Sequence, residues 1–320
     1  MRRLVAVLLA LVSLAAAAGV RAQSALPDRP VKIVVGFPPG TTGDLIARLI
    51  APKMSESIGQ PFIVENRPGG GSSIAAESVV RAPADGSTLL LSTIANTINP
   101  NLFKLGFDFS KDLAPIAPLA EAPALLVAHP SAPPTTQALV ATAKANPGEI
   151  AYGSSGNGTV THLYGELFNL AAGVKVSHVP YKGSSQAVAD LLAGRIQLLF
   201  TPASTVIPHV KAGTLTALGA IGSKRIPALP EVPMLAESGI AGFDAALWFG
   251  LNAPVATPAA TLERLNREAL RALAQPDVRA QLAAQSVEPA PGSREAFGAF
   301  IAKDTEKWAR VVKTAGVISQ

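Results

Sequence analysis

Two stretches of this 320-residue chain combine glycine with hydroxyl side chains between an apolar run and a helical pattern. The first runs from Gly36 through Phe37, Pro38, Pro39, Gly40, Thr41, Thr42 and Gly43 to Asp44. It follows the β-branched segment Val31 to Val35 and precedes the apolar run Leu45 to Ile50. The second runs from Tyr152 through Gly153, Ser154, Ser155, Gly156, Asn157 and Gly158 to Thr159, ahead of a segment bearing His162, Leu163, Leu167 and Phe168. The chemistry this suits is anion binding. The N-terminus of a helix leaves N–H groups without partners and bears a partial positive charge, so small anions bind there. Glycine lets the backbone approach a ligand, and serine and threonine hydroxyls donate to it. Thr41 and Asp44, three apart before an apolar run, have the spacing of a capping box. Either loop alone also reads as an ordinary strand-to-helix turn. Two of them, one in each half of the chain, would grip the two ends of a small carboxylate.

Other chemistries find less support. A nucleophile elbow needs G-x-S-x-G, and in the register from Gly153 the last glycine is replaced by Asn157. His129, His162, His178 and His209 are scattered, with no acidic neighbour at an obvious triad spacing. A secreted serine hydrolase using Ser154 or Ser155 is the rival reading. His162, early in its helix, reads as a packed or capping residue. There is no phosphate-loop motif, and Gly69 to Gly71 lacks dinucleotide-fingerprint spacing. With no cysteine and no histidines at ligand spacing, neither a metal nor a cofactor is expected. Tyr181 and Gly183 would line a pocket, Lys182 reads as a solvated charge, and Trp248 as core.

The elements that must position these residues alternate. Strands are expected at Val31 to Val35, 61 to 65 and 87 to 92, with helices between them and a polar loop from Thr93 to Thr97. From 112 to 134 the texture turns proline-rich around the apolar run Ala124 to Ala128, which marks a crossing between lobes. A second alternating series follows, with strands at 150 to 152, 174 to 179, 196 to 200 and 214 to 221. Ala245 to Ala253 reads as the return to the first lobe, and the rest as three helices. In the last of these Phe297, Phe300, Ile301, Trp308 and Val312 share one face. Such alternation predicts α/β lobes with parallel sheets and right-handed crossovers. The domain boundaries follow: 23–123 plus 246–320 for lobe 1 and 124–245 for lobe 2.

Composition sets the compartment. Arg2 and Arg3, the apolar Leu4 to Leu14 and the small residues to Ala22 read as a signal peptide over 1–22, cleaved after Ala22. No later stretch reaches the ~18 apolar residues of a membrane span. The formal charge of +5 falls to +2 without Arg2, Arg3 and Arg21, and no basic cluster suggests nucleic acid. Without cysteine there is no lipid anchor and no disulfide. The expected product is free in the periplasm.

Beyond these readings, the residues Phe37 to Gly40 with Asp44, Asn66 to Gly69, Asp85 and Gly86, Ile98 to Pro100, Asn146 to Gly148, Tyr152 to Gly156, His178 to Gly183, Leu229 and Pro230, Trp248, and Lys307 with Trp308 form an ordered set. On that set the chain resembles the extracytoplasmic substrate-binding receptors of tripartite tricarboxylate transporters, the Bug family. The resemblance implies a type II periplasmic-binding-protein fold, two Rossmann-like lobes around a ligand cleft with hinge crossovers. It further implies a monomeric, non-enzymatic solute-binding protein, working as a Venus flytrap, that passes a small carboxylate to membrane permease subunits. The ligand would lie between Phe37, Pro38, Thr41, Thr42 and Asp44 on one side and Ser154, Ser155, Asn157, Gly158 and Thr159 on the other, partly through ordered water. Ser92, Thr93 and Ala95 with Tyr181, Gly183, Ser184 and Thr201 would complete the wall by position. Thr41 stands where the family usually has glycine, which adds a hydroxyl and a methyl group beside the ligand. A sensory receptor docking on a kinase ectodomain is a further alternative.

Overall fold

The computed structural model describes residues 26–316 apart from Ser223, Asp244 and Ala245. The signal peptide and its cleavage at Ala22 lie outside the described residues. Among these no helix is long and apolar enough to cross a membrane.

The chain opens with β1 (Val31–Val35), α1 (Thr42–Ile58), β2 (Phe62–Asn66), α2 (Ser73–Val80) and β3 (Thr88–Thr93). There follow the short α3 (Ile94–Ile98) and α4 (Phe109–Asp112), then β4 (Leu113–Ala122) and β5 (Ala124–Ala128). The middle of the chain forms α5 (Thr136–Ala145), β6 (Ala151–Ser154), α6 (Val160–Ala172), β7 (Ser177–Pro180), α7 (Ser184–Leu192), β8 (Leu198–Pro202), α8 (Ala203–Lys211) and β9 (Thr216–Ile221). The return is β10 (Leu247–Pro254), α9 (Ala259–Ala274), α10 (Pro276–Ala284), β11 (Glu288–Pro289) and α11 (Arg294–Ala315). One sheet has the order β11-β4-β10-β3-β1-β2 and the other β7-β6-β8-β5-β9.

Neither sheet is purely parallel, as the alternation had suggested. β1 runs parallel to β2 and β3, and β6 to β7 and β8, through helical crossovers. β10 lies antiparallel to β3 and β4, and β5 antiparallel to β8 and β9. A parallel neighbour requires a crossover helix, and β5 and β10 each enter from the other half of the chain without one. The proline-rich segment read only as a crossing between lobes contains the ten-residue β4. Its pairing with β10 skips a residue at two places, so that Gly250 faces Pro118 and Asn252 faces Pro115. These bulges accommodate the two prolines, which have no N–H to give the ladder. Two segments left without a helix, Thr93 to Thr97 and the region after Phe200, form α3 and α8.

The apolar core is continuous from one sheet to the other. Val31, Ile33 and Leu91 of the first sheet belong to the same cluster as Leu126, Tyr152 and Phe200 of the second. Tyr164 of α6 bridges them, with Trp308 of α11 and Phe243 each 6.2 Å away between ring centres. Of the expected face on α11, Phe297, Ile301, Trp308 and Val312 are buried, whereas Phe300 is 40% exposed and meets Trp248 edge-on at 5.6 Å.

Candidate functional site

Thr41 sits at the N-cap of α1 with extended backbone, φ −76° and ψ 162°, yet its side chain caps nothing. Its hydroxyl donates back to the Pro38 carbonyl at 3.0 Å. The expected capping box is therefore not formed. Asp44 is buried and reaches one residue further back, its Oδ2 accepting the Gly40 N–H at 2.9 Å. Arg48 Nε donates to both carboxylate oxygens at 3.0 Å, and Asn66 Nδ2 donates to Oδ1 at 2.9 Å. Asn66 Nδ2 also reaches the Phe37 carbonyl at 3.0 Å. Burial pushes the Asp44 pKa up, but the bonds from Arg48, Gly40 and Asn66 and the Arg48 charge outweigh it and hold the carboxyl below its ordinary value. The structure thus gives Asp44 the work of fixing the loop. With no side chain capping α1, its first-turn N–H groups remain available to an outside acceptor. Pro38 and Gly40 are exposed, and Phe37, Thr41 and Thr42 half-buried.

The second loop repeats this arrangement. Thr159 caps α6 with φ −75° and ψ 160°, again without a side-chain cap, and its hydroxyl donates to the carbonyl three residues back, Gly156, at 2.7 Å. The preceding glycine again has positive φ, +73° at Gly158 against +83° at Gly40. Its N–H is again accepted by the side chain four residues on, here His162 Nδ1 at 3.1 Å. Ser155 is held through its N–H and its hydroxyl to Thr161 Oγ1, both at 2.9 Å, while Asn157 is exposed.

Beneath this loop lies a polar stack. The His162 and His178 rings lie face to face, 3.9 Å apart at 12°, and Tyr152 stacks on His178 at 5.0 Å. Tyr152 donates to Glu166 at 2.7 Å. Ser154 Oγ lies 2.6 Å from His178 Nε2, a serine–histidine contact that the spacing of 24 residues concealed. The parallel register of β6 and β7, Tyr152 opposite His178, creates it. Ser154 is fully buried, Gly156 N–H donates to its hydroxyl at 3.1 Å, and the charge acting on His178 is His162 rather than a carboxylate. Burial, then His162, pushes the His178 pKa down to about 4. This contact lacks the orienting acid of a triad and serves to pin the loop.

The remaining candidates divide into supports and accessible groups. Ser92 is buried and donates to Asn252 Oδ1 at 2.6 Å, tying β3 to β10. Thr93 caps α3 in a box with Asn96, leaving Ala95 partly exposed. Asn96 Nδ2 reaches Ser72 Oγ at 3.4 Å, and Ser72 in turn sits against Gly36, so the ends of β1, β2 and β3 interlock. Nothing in the spacing of Ser72, Asn96 and Asn66 shows these roles, because their partners lie more than 20 residues away along the chain. In the other half the Tyr181 hydroxyl donates to Asp190 at 2.9 Å. Gly183 caps α7 with φ +142°, and Ser184 opens that helix. Thr201 is buried, its hydroxyl without a hydrogen-bond partner among the described residues. The two halves meet beside Gly158, where a Cβ would stand 3.0 Å from Leu102.

Two surface cavities, of about 330 and 220 Å3, lie elsewhere. One is lined by Lys53, Glu56 and Arg271, the other by Glu121, Trp248 and Phe300. The first is bordered by Gln275, the uncapped N-cap of α10, but neither is lined by a residue of the two matched loops, and it is those loops that define the candidate site.

Comparison with known proteins places the chain among relatives. Residues 46–317 match the family described as the tripartite tricarboxylate transporter family receptor. Protein BugT of Bordetella pertussis is 35% identical over 320 residues, covering 99% of this chain and 98% of its own. The Rhodopseudomonas palustris protein Rpa4515, solved with adipate, superposes with a TM-score of 0.82 at 34% identity, covering 92% of this chain and all of that one. MatC from the same organism, solved with malate, gives 0.79 at 30% identity over 89% of this chain and 99% of its own. The chain belongs to the tripartite tricarboxylate transporter receptor family, whose members are solute-binding receptors and not enzymes.

Proposed function

We propose that this protein is a periplasmic receptor that clamps a small carboxylate between two lobes and delivers it to the permease subunits of a tripartite tricarboxylate transporter. The observation that carries this reading is the pair of matched helix starts. In each, an extended threonine turns its hydroxyl backwards and leaves the first turn uncapped. The lobes are 23–123 with 246–320 and 124–245. The ligand is held by the N–H groups of Thr42 and Gly43, by Thr41, and on the other side by Ser155, Asn157 and Thr159, with Gly183, Ser184 and Thr201 along the wall. Arg48 is committed to Asp44 and Asn66, so neutral donors bear the anionic charge. The adipate and malate seen in the two R. palustris proteins make dicarboxylates the first class to try. Closure follows from the ligand binding the closed form better than the open one.

A thermal-shift and calorimetric screen of adipate, malate, mono- and tricarboxylates tests the binding. A ligand at 100 times its Kd adds about 2.7 kcal/mol to stability, and a panel without any upward shift in Tm would sink the reading. For delivery, uptake of the identified acid should vanish when either the receptor gene or the cognate permease genes are deleted and return when the deleted genes are restored.

A further inference from the structure

We infer that His162 is the positioning residue of the second binding loop, the counterpart of Asp44 in the first, and that it makes the grip of that loop sensitive to acid. The inference rests on the binding role proposed above. In both loops a positive-φ glycine before the N-cap threonine gives its N–H to the side chain four residues later. The acceptor is a carboxylate in one loop and an imidazole in the other. That difference has a chemical consequence. Nδ1 accepts from Gly158 only while the ring proton is on Nε2, which faces Glu166 Oε1 at 3.8 Å. A second proton must go to Nδ1 and sets an N–H against the Gly158 N–H. The hydrogen bond is then lost, and with it the restraint on Gly158 and Thr159. Asp44 loses no acceptor at the same pH.

The groups around His162 are few. Its own helix provides Glu166, β7 provides His178 across the stack, and β6 provides Tyr152, whose hydroxyl is given to Glu166. The turn after α3 brings apolar Leu102 and Phe103 to the Gly158 side. Burial disfavours the imidazolium and exceeds the favourable charge of Glu166, so the His162 pKa lies below its ordinary value. The stacked His178 is depressed as well, and at 3.9 Å the two rings resist being charged together. The loop is therefore fully held near neutrality and is released as the pH falls below the usual histidine range.

The test uses the whole mature protein, with adipate and malate as probes, titrated calorimetrically between about pH 7.5 and pH 4 against His162→Asn and His162→Ala. Asparagine keeps an acceptor near the Nδ1 position and cannot gain a proton, whereas alanine has no acceptor. The wild type should lose about tenfold in affinity over this range, the loss of one hydrogen bond. His162→Asn should lose distinctly less, and His162→Ala should be weak throughout. Identical slopes for the wild type and His162→Asn would overturn the inference. A second arm needs neither ligand nor variant. In 15N-histidine-labelled wild type at about pH 7.5, Nδ1 of His162 should be the unprotonated nitrogen, and the Gly158 amide should shift with its titration while that of Gly40 does not. A proton on Nδ1 overturns the assignment. If neither acid binds, the binding proposal fails for these probes, and the labelled protein still decides the role of His162.

Discussion

At the scale of single residues, Asp44 shows how far sequence spacing reaches. Its place three residues after Thr41 marked it as part of a helix start, and it is one, but the spacing could not reveal that it accepts from Gly40, Arg48 and Asn66 at once. Asn66 lies 22 residues away and is brought in only by the pairing of β2 with β1. Replacing Asp44 with alanine removes the shared acceptor of three donors, one of them a backbone N–H. We expect Asp44→Ala to lower stability by about 1–3 kcal/mol and to weaken adipate binding by loosening Gly40. The pH dependence has a definite sign. Because the folded carboxyl is more acidic than the unfolded one, its stabilisation is complete above the ordinary aspartate pKa and is lost as the pH falls through the lower folded value. Urea denaturation at about pH 7 and again near pH 2 should therefore show the gap between wild type and Asp44→Ala narrowing in acid. A constant gap would mean that the carboxylate charge contributes nothing.

Among the elements, those with clean periodicity were legible and those under special constraint were not. β1, α1 and the long final helix follow from their apolar patterns. β4 was hidden because two prolines argue against a strand until two bulges in its partner pairing place them harmlessly. α3 was hidden because Thr93 and Asn96 form its box, outside the usual Ser/Thr-x-x-Glu pattern. The most demanding junction joins the loops after β1 and β2. A Cβ on Gly36 would stand 2.1 Å from Ser72 Oγ and 2.6 Å from its Cα, and Ser72 is fully buried with φ +79°. Gly36→Ala should destabilise by about 1–3 kcal/mol through overpacking and abolish adipate binding by displacing the first loop. Adding Ser72→Gly removes the hydroxyl and the positive-φ strain but leaves the backbone clash. The double variant should recover only part of the lost Tm in thermal denaturation; complete recovery would show that the side chain alone was in the way.

For the whole molecule, the alternation and the proline-rich crossing pointed to two halves, but not to the core that unites them. Tyr164, Phe243 and Trp308 lie at that junction with at most 1% of their surface exposed, so separating the halves there would expose large aromatic surface. Trp308→Ala should cost about 3–5 kcal/mol, the range for emptying a large aromatic site. We expect a motion that closes on ligand to pivot about the α6–α11 contact and to be wider between α1 and α7. The chain has no cysteine, so pairs of spin labels can be placed without background. One pair at exposed Leu170 and Glu306 flanks the pivot, and a second at exposed Glu56 and Gln186 spans the other side. On adding adipate, pulsed dipolar spectroscopy should show the Glu56–Gln186 distance contract while Leu170–Glu306 stays nearly fixed. Equal changes in both pairs would mean that the aromatic junction slides or opens with the rest, and that the continuous core does not set the axis of closure.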